Sequence, residues 1–180
     1  MLKLRRTAPV EPLVVAMAAV RMGDRLLVVG CTDPKVVAQL AAKPGLTGRT
    51  CAVDEDQERS ARAARAAEAA GALVEAESAP VTALRHESDS FDVVVVSHLL
   101  SRLPEPRRQP CLAEAARVLR PGGRCVVVQA GRRGGMAGLF AGTPAMSAAD
   151  IEQLLQSAGF RAVKTLTERE GLVFVEGGRR

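Results

Sequence analysis

The stretch LLVVGCTDPKVVAQLA, residues 26–41, decides the fold. Leu26 to Val29 is an apolar run without alternation, the mark of a strand covered on both faces. Asp33 followed by Pro34 is a strong helix start, pairing a capping carboxylate with a proline at the first helical position. From Pro34 to Ala42, Val36, Val37 and Leu40 then share one helical face. The loop between strand and helix is the place where many α/β proteins hold a ligand. Such a loop normally needs several glycines, because only glycine reaches positive φ cheaply and lets a ligand lie against the backbone. Here Gly30 stands alone, followed by Cys31, Thr32, Asp33 and Pro34.

Two more runs of the same kind lie downstream, Val93 to Val96 and Cys125 to Val128. Between the strands, Gln57 to Ala70 is an alanine-rich helix ending at Gly71. Arg107 to Arg120 places Leu112, Ala115, Ala116 and Leu119 on one stripe, with Pro121-Gly122-Gly123 as its stop. Near the end, Ser147 and Asp150 form a capping-box pattern ahead of Ile151, Leu154, Leu155 and Ala158, and Gly159 closes that helix. Two strands are predicted after it, near Arg161 to Leu166 and Gly171 to Val175. This order predicts an α/β fold: a Rossmann-like, doubly wound, mostly parallel sheet with helices on both faces and a C-terminal antiparallel strand pair. One domain is expected over residues 1–180, with an N-terminal helix and tail at 1–23 and a glycine-rich, lid-like loop at 131–147.

Composition narrows the function. Of 180 residues 47% are hydrophobic but only 2% aromatic, with no Trp or Tyr, so the core is aliphatic and stacking platforms for single-stranded nucleic acid are missing. The net charge of +5 is scattered in arginine pairs, which solubilise a surface and do not make a nucleic-acid track. Cys31, Cys51, Cys111 and Cys125 form no C-x-x-C pair and have no nearby histidine, so neither a metal site nor a disulfide framework is indicated and a reducing cytoplasm is expected. The basic start and the apolar run 13–20 imitate a secretory signal. Pro12, Glu11 and the helical face of Leu13, Ala16, Met17 and Val20 argue for a helix instead. No apolar stretch approaches the length of a membrane span.

Residues 91–130, FDVVVVSHLLSRLPEPRRQPCLAEAARVLRPGGRCVVVQA, resemble the second half of a class I S-adenosylmethionine-dependent methyltransferase. The resemblance rests on Phe91-Asp92 before the fourth strand, Leu103-Pro104 after it, and Arg117 to Gly123 before the fifth. It extends to the second strand with its acidic end, and to the closing helix and strand pair. What it implies is S-adenosylmethionine as cofactor. Asp54, with Glu55 beside it, is then the carboxylate for the ribose hydroxyls. Glu77 with Ser78 takes the place that presents an acid to the adenine amino group, and Ser97 ends the fourth strand facing the cleft. In the family the first loop carries an acid and three glycines. Those places are held here by Val28, Gly30, Thr32 and Pro34, so Gly30 is left as the point of closest approach, with the Thr32 hydroxyl as a hydrogen-bonding group. A β-branched residue at positive φ costs on the order of 1–2 kcal/mol, so the loop is expected to take another path.

Methyl transfer from a sulfonium needs mainly alignment and exclusion of water. If a base is needed, His98 at the strand's carboxyl end is the candidate, whereas His86, in the loop LRHESDS, is expected at the surface. In the 131–147 loop, Arg132 and Arg133 are candidates to receive an acidic group, with Phe140 closing over it or meeting a second copy of the chain. The acceptor, a small molecule or a protein, is not legible. Three rivals stay open: a non-catalytic scaffold or dimerisation protein that has lost the cofactor, an RNA-binding protein argued from charge alone, and a dinucleotide-dependent dehydrogenase, whose glycine pattern is missing.

Overall fold

A computed structural model describes residues 12–131 and 145–180. Its sheet has seven strands: β1 (Arg25–Val29), β2 (Arg49–Asp54), β3 (Glu75–Ser78), β4 (Phe91–Ser97), β5 (Leu119–Ala130), β6 (Arg161–Arg169) and β7 (Leu172–Gly178). They lie in the order β3-β2-β1-β4-β5-β7-β6. The first five pair in parallel, and β7 runs antiparallel between β5 and β6. The helices are α1 (Leu13–Ala18), α2 (Pro34–Ala41), α3 (Gln57–Ala69), α4 (Glu105–Val118) and α5 (Ala148–Ser157). This is the predicted Rossmann-like architecture, strand pair included.

The unbroken apolar runs follow from burial on both faces. Leu27 and Val29 pack into a core that includes Leu112 and Val118 of α4 and Ile151 and Leu155 of α5. Leu26 and Val28, alternating with them, pack into a second core with Val14 of α1, Leu40 of α2 and Ala63 of α3. With aromatic residues scarce, Phe91, Phe160 and Phe174 are all fully buried. The predicted caps are present: Asp33 accepts from the Lys35 and Val36 amides at the start of α2, and Ser147 and Asp150 close a capping box on α5.

The Pro121-Gly122-Gly123 segment is placed differently from its predicted role. The helix before it ends two residues short of the expected Arg120, and Leu119 is already extended and paired with Phe91. Pairing resumes with Val93 opposite Arg124, so the proline and glycines form a bulge inside β5. Burial of Leu119 and the Asp92 carboxylate are the reasons. Asp92 accepts from the Arg25 amide at 2.7 Å and pairs with Arg120, which draws Arg120 out of the helix. The bulge is tied down by Gly122 N–H to Arg179 O at 3.0 Å and Arg179 N–H to Gly123 O at 2.8 Å.

The two glycines answer to different constraints, and their alanine variants separate them. A Cβ on Gly123 would lie 2.9 Å from the Arg120 carbonyl oxygen and 3.0 Å from that of Asp92. Gly123→Ala is expected to lose about 1–3 kcal/mol through overpacking. Gly122, at φ +78°, where a Cβ would meet only the Arg120 guanidinium at an unstrained 3.7 Å, should lose on the order of 1 kcal/mol from backbone strain alone. Urea melts of both variants check the ordering, and equal losses would show that the bulge can spread.

Candidate functional site at the carboxyl edge of the sheet

Strand order reverses between β1 and β4, which places a crevice outside their carboxyl ends. Gly30 closes β1 there at φ +94°, and a Cβ on it would lie 2.4 Å from the Ser97 carbonyl oxygen. No other residue fits so tight a crossing. Thr32 stays out of the left-handed region. The loop's amides are largely engaged. Gly30 N–H bonds Val53 O at 2.8 Å, and Cys31 N–H bonds Asp54 Oδ2 at 2.8 Å. Lys35 and Val36 N–H bond Asp33 Oδ1 at 2.9 and 3.4 Å, and Pro34 has no N–H. The Thr32 and Asp33 amides have no partner among the described residues. Beside the loop lies a hollow of about 440 Å³ lined by Thr32, Asp33, His98, Ser101 and Arg102 among others.

His98 follows β4 with φ +48° and its N–H on Val128 O at 2.9 Å. Burial holds its imidazole below the usual histidine range, so it is neutral at neutral pH and able to take a proton. Ser97 is buried at the end of β4. Cys31 is buried in the loop, and burial pushes its thiol up to about 12, which removes it as a nucleophile.

Asp54, at the end of β2, is fully buried. Its carboxylate accepts from the Cys31 and Asp56 amides at 2.8 and 2.9 Å, and from Arg59 Nη2 and Nε at 2.8 and 3.1 Å. Burial alone would raise its pKa, but Arg59 and the two amides outweigh that and hold the carboxyl below its ordinary range. Only 1% of the side chain is exposed.

The remaining candidates divide. Glu55 accepts from the Val81 amide at 3.2 Å and pairs with Arg107 of α4, whose guanidinium is the main reason its carboxyl is lowered. Ser78 donates to the Glu55 carbonyl oxygen at 3.2 Å, which ties the end of β3 to that of β2. Glu77 turns elsewhere, with Oε1 3.3 Å from His86 Nε2. His86 is therefore not at the surface as expected: its side chain is 16% exposed and its ring meets Phe91 edge-on at 5.0 Å. A neutral imidazole is half apolar, and the buried Phe91 ring offers it that surface. Arg132, Arg133 and Phe140 lie outside the described residues. The structure thus brings Thr32 and His98 to the hollow, packs Gly30 against the Ser97 carbonyl at the strand ends beside it, and sets Asp54, Glu55 and Ser78 at the ends of β2 and β3. Sequence reasoning missed Arg59, Arg102 and Arg107. Of these, only Arg59 had a signal, three residues after the helix-capping Asp56, a spacing at which side chains meet.

A Rossmann-like sheet whose strand order reverses at this edge is the arrangement in which open α/β folds hold their ligands. The chain belongs to the methyltransferase domain family, whose model matches residues 26–123. It is 32% identical over 108 residues to the 27-O-demethylrifamycin SV methyltransferase of Amycolatopsis mediterranei, covering 60% of this chain and 39% of that protein. It is 34% identical over 115 residues to methyltransferase GfsG of Streptomyces halstedii, covering 64% and 41%. The chain thus matches about two fifths of the length of these relatives. Among solved structures, a SAM-dependent methyltransferase from Aquifex aeolicus superposes with a TM-score of 0.79 at 19% identity, over 93% of this chain and 88% of that one.

The Asp54 cluster gives a stability prediction with a definite sign. A carboxyl whose folded pKa is depressed stabilises the fold above its ordinary range and loses that contribution as pH falls through it. Asp54→Asn is expected to cost about 2–3 kcal/mol at neutral pH, and to flatten the acid limb of stability below about pH 4. Urea melts at several pH values test this. An acid limb as steep in the variant as in the parent would assign it to other carboxylates.

Proposed function

We propose that the chain acts as an S-adenosylmethionine-dependent methyltransferase, with the hollow beside Gly30 as the place where cofactor and acceptor meet. Membership of the methyltransferase family supports this. The observation that carries it is an open hollow at the reversal of strand order, lined by Thr32 and His98, with a strand-end carboxylate, Asp54, on the neighbouring strand. These residues suit an adenosyl ligand: Gly30 lets the loop cross close against β4, Thr32 adds a hydroxyl at the hollow, and Asp54 lies one strand away for the ribose once Arg59 moves aside. S-adenosylmethionine when bound supplies an already activated methyl group, so the protein has chiefly to align and to exclude water.

His98, neutral and lining the hollow, is the group proposed to take a proton from the acceptor. One relative's name specifies an O-demethylated substrate, so hydroxyl acceptors are the first class to try. A small molecule and a protein side chain both remain acceptors under this proposal. No helix among the described residues is long and apolar enough to cross a membrane. The four cysteines are free and buried, which supports a reducing, cytoplasmic setting.

Calorimetric titration with S-adenosylhomocysteine tests the proposal, with micromolar or tighter binding expected, about −8 kcal/mol. Absence of heat and of any thermal shift at millimolar ligand would overturn it in favour of a scaffold. Arg59→Met is expected to tighten binding several-fold, because it frees the Asp54 carboxylate for the diol. Unchanged or weaker binding would show that Arg59 stays in place with the ligand bound.

A further inference from the structure

The amino-acid end of such a cofactor carries a carboxylate and an ammonium, and a loop rich in free amides is the simplest partner for the carboxylate. This loop offers only the Thr32 and Asp33 amides, since those of Gly30 and Cys31 are engaged by Val53 and Asp54, those of Lys35 and Val36 by Asp33, and Pro34 has none. Side chains around the hollow make up the deficit. Arg102, exposed at the hollow from the turn after β4, donates Nη1–H to Thr32 Oγ1 at 2.5 Å, and this fixes it against the loop. A guanidinium has five N–H donors, so the bond to Thr32 leaves others for a ligand. Among the described residues Arg102 has no acidic partner, in contrast to Arg59 and Arg107 along the same edge. Ser101, next in the lining, is held by the fully buried Gln129 at 3.3 Å. Asp33 uses only Oδ1 to cap α2, which leaves Oδ2 facing no donor among the described residues.

The hollow therefore offers a cation, a hydroxyl and a carboxylate oxygen, the complement of a zwitterion. We propose that Arg102 and Ser101 take the α-carboxylate, and Asp33 the α-ammonium, of the cofactor's amino-acid end. This inference rests on the methyltransferase proposal and adds to it a cofactor contact made by side chains in place of loop amides.

Paired titrations test it. S-adenosylhomocysteine carries the amino-acid end, and 5′-methylthioadenosine is the same nucleoside thioether without it. The parent protein is expected to bind S-adenosylhomocysteine at least about tenfold more tightly, the scale of one charge-assisted contact. Arg102→Gln should erase most of that preference while leaving 5′-methylthioadenosine affinity within about twofold, and Arg102→Lys should restore part of it. Equal affinity of the parent for both ligands, or an equal loss of both in Arg102→Gln, overturns the clamp and leaves the cofactor assignment standing. Failure of the parent and both variants to bind either ligand overturns the methyltransferase proposal, and the clamp with it.

Discussion

A fully buried carboxylate must be surrounded by donors or give up its charge. The Asp54 side chain meets that demand by drawing in three separate pieces of the chain: the Cys31 amide from the loop after β1, the Asp56 amide from its own turn, and Arg59 from the first turns of α3. That single requirement sets where the loop runs, how α3 leaves β2, and how the two meet. It explains why a loop with one glycine still has a defined shape. The Cys31 N–H is held from across the sheet, and Gly30 is held by Val53.

The same edge is otherwise organised by arginines, each reaching between elements. Arg59 spans β2 and α3, Arg107 links α4 to Glu55, and Arg102 links the turn after β4 to Thr32. Guanidinium groups suit this because their planar fork can satisfy a carboxylate from a distance that a backbone amide cannot cover. The half of the edge at β2 and β3 is consequently closed by ion pairs, while the half at β1 and β4 keeps its hollow. On the proposed function, nucleoside and amino-acid ends of the cofactor meet different resistance: one must displace a bridge, the other enters a prepared space.

The fold was legible in the sequence to a degree the site was not, and the reason is locality. Leu26 to Val29, the Asp33-Pro34 start and the Ser147–Asp150 box each carry their whole signal within a few residues. The Pro121-Gly122-Gly123 segment was misplaced because Phe91 and Asp92, some thirty residues earlier, decide by pairing and charge where the helix gives way to strand. The site depends almost entirely on such distant partners. His86 was expected in solvent because Phe91 and Glu77 meet it only in three dimensions. Arg107 looked like one of the scattered arginine pairs, and Arg102 carried no signal, until the fold set one against Glu55 and the other against Thr32.

Backbone amides bind an anion well only where the chain turns through conformations that glycine tolerates, so an amide-lined loop is tied to its glycines. A side-chain donor brought from another element lifts that tie. Once Arg102 faces the hollow, the loop is free to carry Thr32, which anchors the arginine, and Asp33 and Pro34, which start α2 firmly. The exchange has physical costs of its own: an exposed guanidinium loses rotamer freedom when it binds, and its attraction is weakened by salt, whereas a rigid amide suffers neither. The Thr32 hydroxyl offsets the first by holding Arg102 in place beforehand. On the proposed clamp, Thr32, Asp33 and Arg102 therefore work as one arrangement, with Pro34 starting the helix behind it.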